Sequence, residues 1–141
     1  FFSKEHQSHA ESALKIFKDN PIIGIGPKNY RYECRKEKYN ISKYSCTSHP
    51  HNFYIQLLSE IGILGILIPL IILINIFIYF LKTFNKKLTI KSHNLEIKKI
   101  FIYISFLITF FPLIPTGNIF NNWLSIIFYL PLGFFINLNK K

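Results

Sequence analysis

The stretch SHPHNFYIQLLSEIGILGILIPLIILINIFIYFL, Ser48 to Leu81, passes from a polar, histidine-bearing start into residues 61–81, 21 positions without a charge. A bilayer core of about 30 Å needs roughly 20 apolar residues in helical form, so this run reads as one membrane span. Residues 100–139 are a second uncharged run, 40 residues long. That is enough for two spans joined by a tight turn, and Pro112, Pro115 and Thr116-Gly117-Asn118 supply the breakers at its middle. Core helices of a soluble protein would carry a polar face, and these runs carry none. The expected fold class is an all-α membrane protein: three transmembrane helices of a larger polytopic bundle, with a partly helical periplasmic loop.

The charges lie outside these runs. Residues 1–60 hold nine basic and six acidic side chains, residues 82–99 hold six lysines and Glu96, and Lys140 and Lys141 close the chain. Lysines immediately after a span mark the cytoplasmic side. With three spans the lysine pair at the end falls on that side too. Residues 1–56 are then the periplasmic loop and 57–141 the transmembrane region, with spans near 57–81, 100–115 and 119–138 and a cytoplasmic Lys-rich loop at 82–99. The expected location is the bacterial inner membrane, multi-pass. The net charge of +10 does not point to nucleic acid, because topology explains it and the chain is 50% apolar with only 17% charged residues. There is no methionine, and the chain opens at Phe1-Phe2 without a signal peptide. It therefore reads as the C-terminal part of a longer protein.

The outer segment carries the chemistry. Ser8-His9-Ala10-Glu11 has the form of a capping box, and Ala10, Ala13, Leu14 and Phe17 recur at helical spacing. A helix from about His9 to Lys18 is expected, stopped by Asp19-Asn20-Pro21. Gly24 and Gly26, two apart in a turn-rich stretch, can bring backbone amides close to a phosphate or simply form a tight loop. Arg31 and Arg35, the two arginines of the chain, belong to a solvated surface or supply a planar fork to a diphosphate. Cys34 and Cys46 are either a disulfide, natural in an oxidising compartment, or two thiols. A zinc site joining them to His49 and His51 lacks the usual ligand spacing.

In Ser48-His49-Pro50-His51-Asn52, Thr47 or Ser48 can cap a helix and Pro50 fits its first turn. His51 is then expected in the first turn of a long helix at the membrane surface. The positive helix end keeps its ring neutral and attracts an anion. A neutral base beside an anion site is what transfer from a phosphate leaving group uses. Asn52, Gln56, Ser59 and Glu60 form a polar stripe, which either faces a functional cavity or makes helix–helix hydrogen bonds. Gly62 and Gly65 suit close helix packing.

These residues resemble the membrane-embedded O-antigen ligase and O-antigen polymerase superfamily of bacterial envelope glycosyltransferases. Its ligases carry His-Asn, nine residues, then Gly-x-x-Gly, which here is His51-Asn52, residues 53–61 and Gly62-Ile63-Leu64-Gly65. Asn20-Pro21-Ile22-Ile23-Gly24-Ile25-Gly26 is similar to the family's large periplasmic loop. The resemblance implies lipopolysaccharide biosynthesis: a glycan moved from undecaprenyl diphosphate to an acceptor glycan or lipid A-core hydroxyl, with no metal and no cofactor. His51 would be the general base. Arg31, Arg35, Asn52, His49, Gly24 and Gly26 are the substrate-binding candidates. The family's arginine ahead of the Gly-x-Gly segment has no counterpart, since only His6, His9 or Lys15 lie there. The other reading is a non-catalytic polytopic protein such as a transporter subunit, supported only by Pro69, Asn75 and the Pro112–Pro115 break.

Overall fold

The computed structural model describes residues 3–84, 93–111 and 115–139. Pro112, Lys86, Lys87, Lys91, Lys140 and Lys141, all invoked above, lie outside the described residues. Five helices follow in order, α1 (Lys4–Asp19), α2 (Tyr30–Glu33), α3 (Phe53–Phe84), α4 (His93–Thr109) and α5 (Asn122–Asn139), with no strand among the described residues.

Helix α1 starts earlier than its sequence signal. Ser3 is the N-cap, its hydroxyl accepting the His6 amide at 3.3 Å, and Glu5 and Lys18 stand at the dipole ends that favour them. Ser8 is inside the helix and bonds Ser42 across 2.9 Å. The Lys4-Glu5-His6-Gln7 run carries no breaker, so the helix extends back to the first available cap. Its inner face, His9, Ser12, Ala13 and Ile16, is buried. Ala13 and Ile16 join Tyr30, Cys34 and Tyr39 in a small core. The Tyr30 hydroxyl sits between the carbonyls of Ser45 (2.7 Å) and His9 (3.1 Å), tying α1 to the loop that follows α2.

Cys34 and Cys46 are disulfide-bonded, with Cα atoms 5.3 Å apart and a sequence separation of 12. Closing a loop of this size stabilises by about 3 kcal/mol. Replacing both cysteines by serine should therefore lower the thermal midpoint of the outer segment and make reductant without effect on it. A midpoint that stays at the wild-type value would show that the crosslink constrains nothing.

Among the described residues one helix is long and apolar enough to cross a membrane by length and composition, residues Phe53–Lys82. It is not continuous. Gly62 has φ 67° and ψ −166°, which divides α3 into two helical pieces. A break leaves carbonyls at the end of the first piece and amides at the start of the second without helical partners. Here the loop of residues 20–26 supplies backbone partners to two of each. Ile25 and Gly26 donate to the carbonyls of Ser59 (3.1 Å) and Glu60 (2.7 Å), while Ile63 and Leu64 donate to those of Pro21 (2.9 Å) and Ile22 (3.2 Å). Beyond the break, Ile63, Leu64, Leu67, Ile68, Ile71, Ile74 and Phe77 are exposed, as a lipid-facing or helix-facing surface would be.

The polar stripe of α3 points inward. Gln56, Ser59 and Glu60 are fully buried. The Glu60 carboxylate accepts from the Tyr30 amide (3.0 Å) and the Gln56 amide group (2.9 Å). Gln56 also donates to Asn118 at 2.8 Å. Of the two readings of this stripe, bonding between segments describes Gln56 and Glu60, whereas the Ser59 hydroxyl donates back to the Gln56 carbonyl at 3.2 Å within α3. Helix α4 runs antiparallel to α3, with Phe80 against Tyr103 at one end and Phe53 against Phe110 at the other. Helix α5 returns alongside, its Phe135 packing on Tyr103 and Phe106. The α4–α5 connection thus lies at the same end of α3 as the outer segment.

Candidate functional site

His51 is not in the first helical turn. It precedes the helix with φ 57°, in the left-handed region. Asn52 is the cap instead, its Oδ1 accepting the amides of Tyr54 and Ile55, each at 3.1 Å. Pro50 is buried and ends the preceding loop rather than opening the helix. The reversal at His51 turns its carbonyl toward the α4–α5 connection, where the Thr116 amide donates to it at 3.0 Å.

Three further histidines surround this one. Ring centroids lie 4.2 Å away for His49, 5.3 Å for His9 and 5.6 Å for His6. Helix α1 delivers His6 and His9, and the loop delivers His49. The His49 ring is fixed at both nitrogens. Nε2–H donates to the Thr116 carbonyl (3.2 Å), and Nδ1 accepts from Ser48 (2.9 Å). Burial first, then the neighbouring His51, push His49 down to about 4. Burial and His6 also hold His51 below the ordinary imidazole value of 6.5. Burial, then His51 and His6, lower His9 as well. Among the described residues no group of three His, Cys, Asp or Glu is placed to hold a metal ion.

A depressed histidine makes the fold acid-sensitive. In the unfolded chain His49 titrates near 6.5, so between there and about 4 the unfolded state binds a proton that the folded state refuses. Stability is complete above 6.5 and falls as pH drops through this window, by about 3 kcal/mol for this one ring. Melts at pH 7 and pH 4.5 should differ accordingly, and His49→Asn should remove much of the difference. An equal acid loss in that variant would place the sensitivity elsewhere.

Two pockets adjoin the histidine pair. One, of about 310 Å³, is lined by His6, Gln7, Glu11, His51, Asn52 and apolar neighbours. The other, of about 420 Å³, is lined by Lys28, Arg31, Ser48, His49, Asn118, Asn121, Asn122 and Trp123. The second holds two cations and no carboxylate. Of the two arginines, Arg31 lines it and Arg35 does not. Gly24 and Gly26 do not offer amides to a phosphate, for theirs donate to the Asn20 and Glu60 carbonyls at 3.1 Å and 2.7 Å. They serve close approach instead: a Cβ on Gly24 would lie 2.6 Å from the Glu60 carbonyl oxygen.

Residues 8–70 match the O-Antigen ligase family. The matched segment takes in most of α1, the Gly24–Gly26 loop, both cysteines, His51 and α3 as far as Leu70. It bears out the resemblance carried by His51-Asn52 and Gly62-x-x-Gly65, and it supports a glycan-transferring envelope enzyme of ligase or polymerase type in a membrane setting. No curated protein and no solved structure gives a significant match to the chain. Lys28, Thr116, Asn118 and Trp123 were not legible from sequence as neighbours of the histidine pair. The only hint was the cluster of polar residues from Thr116 to Asn122 inside a 40-residue run without charge.

Proposed function

We propose that the chain is the site-bearing part of a bacterial envelope glycosyltransferase. It moves a glycan from undecaprenyl diphosphate to an acceptor sugar hydroxyl, and His51 is the general base. The observation that carries this reading is a neutral His51 in a pocket wall, next to a second pocket whose only charged groups are cations. In the reaction the acceptor oxygen bonds to the anomeric carbon as its proton passes to His51. The bond from that carbon to the diphosphate breaks, and its electron pair leaves with the diphosphate. Lys28 and Arg31 stabilise the departing charge, the electrostatic contribution that is usually largest.

In this reading α3, α4 and α5 are three spans of an inner-membrane bundle, with the outer segment and the α4–α5 connection on the periplasmic side. Support comes from the Thr116–His51 and Tyr54–Phe110 hydrogen bonds, which hold that connection at the histidine end of α3. Lys82 and Lys98 lie toward the opposite helix ends.

The test is complementation of a strain lacking the enzyme with the full-length protein carrying His51→Ala. Membrane insertion should be normal and glycan transfer absent. Transfer at the wild-type level would discard the mechanism.

A further inference from the structure

We infer that the pocket between α1 and the start of α3 is the acceptor subsite, and that Gln7 and Glu11 bind the hydroxyls of the incoming sugar. The inference rests on the proposed transferase reading and goes beyond it by assigning the two substrates to different pockets. Two observations separate them. His51, the group that must meet the acceptor hydroxyl, lines the α1 pocket and not the cationic one. The α1 pocket has a carboxylate, Glu11, and no lysine or arginine, so it disfavours a diphosphate and suits a neutral glycan end.

The lining of this pocket fits a pyranose in detail. Gln7 and Glu11 are one helical turn apart on the same face of α1, and the Gln7 amide donates to Glu11 at 2.8 Å. That bond orients both groups while leaving the second carboxylate oxygen and the Gln7 carbonyl to accept sugar hydroxyls. Leu14, Ile55 and Pro115 form an apolar wall, suited to the C–H face of a ring. The opposite face of α1, with His9, Ser12, Ala13 and Ile16, is buried in the core. The polar pair therefore belongs to the side that is not needed for folding.

The test uses the purified full-length protein, with undecaprenyl-diphosphate-linked glycan as donor and core-only lipopolysaccharide as acceptor, both from the same bacterium. Gln7→Ala and Glu11→Ala should each raise the acceptor KM about tenfold, the effect of losing one substrate hydrogen bond, with kcat and donor KM within about twofold. Leu14→Trp, which fills the pocket, should do the same more strongly. Lys28→Gln should move the donor KM instead. An unchanged acceptor KM in the α1 variants, or an equal rise for donor and acceptor, overturns the assignment while His51-dependent transfer continues. Transfer that survives loss of His51 overturns the underlying reading and this inference with it.

Discussion

Gly24→Val should detach the outer segment from the span, at a cost of about 4 kcal/mol or more. Two terms combine. Gly24 has φ +64°, a conformation that costs a β-branched residue roughly 1–3 kcal/mol. Its Cβ would also fall 2.5 Å from the Ile61 amide nitrogen, against backbone that has no room to shift. Moving the loop away breaks the hydrogen bonds from Ile25 and Gly26 to α3, each contributing about 1 kcal/mol and more where the freed carbonyl is buried. Gly62→Val attacks the same junction from the other side, since its Cβ would lie 2.7 Å from the Gly24 nitrogen. Ile22→Ser is the control. Ile22 is 63% exposed, and its change should stay within about 0.5 kcal/mol. Limited proteolysis of the outer segment, together with thermal melts in detergent, reads all three. A Gly24→Val protein with wild-type protection would mean that the loop and the helix break do not depend on each other.

On the proposed mechanism, His51→Gln should lower kcat about 10²–10⁴-fold while changing KM little, because a general base acts in the transition state rather than in binding. The wild-type pH profile carries the sign. Protonating His51 removes the base, so activity falls on the acid side, with a midpoint below 6.5 because burial and His6 both disfavour the imidazolium. The groups facing it are His6 and His9 from α1 and His49 from its own loop. His6→Gln removes the neighbour that, with burial, disfavours the His51 imidazolium and should move the acid limb upward toward 6.5, with the plateau rate retained. A limb that stays in place would leave burial as the whole cause. A His51→Gln enzyme with wild-type kcat would end its role as base.

The long apolar helix was readable because 21 uncharged residues have few other uses, and the helical outer segment because Ala10, Ala13, Leu14 and Phe17 keep a helical period. The details at the ends were not readable. Pro50 resembles a first-turn proline, but Asn52 offers a side-chain oxygen nearer the apolar run, and that oxygen accepts the first amides. His51 then takes a left-handed backbone that no residue pattern announces. Gly62 and Gly65 look like a packing pair, yet Gly62 is a break, and what fills it is another glycine loop nearly 40 residues earlier. The same long-range pairing changes the meaning of Gly24 and Gly26, from amides for a ligand to space for a backbone. The gathering of His6, His9 and His49 around His51 depends on α1 docking along α3, a tertiary event with no local signature. The cationic pocket was only half legible. Arg31 stood out as an arginine, whereas Lys28 is one of many lysines.

The amide and carbonyl of Thr116 hold the His51 backbone and the His49 ring beside it, yet the stretch that matches the family model ends at residue 70. Likeness and local architecture therefore have different extents along this polypeptide. A truncation shortly after residue 70 would leave the matched stretch whole while removing the segment that fixes both histidines.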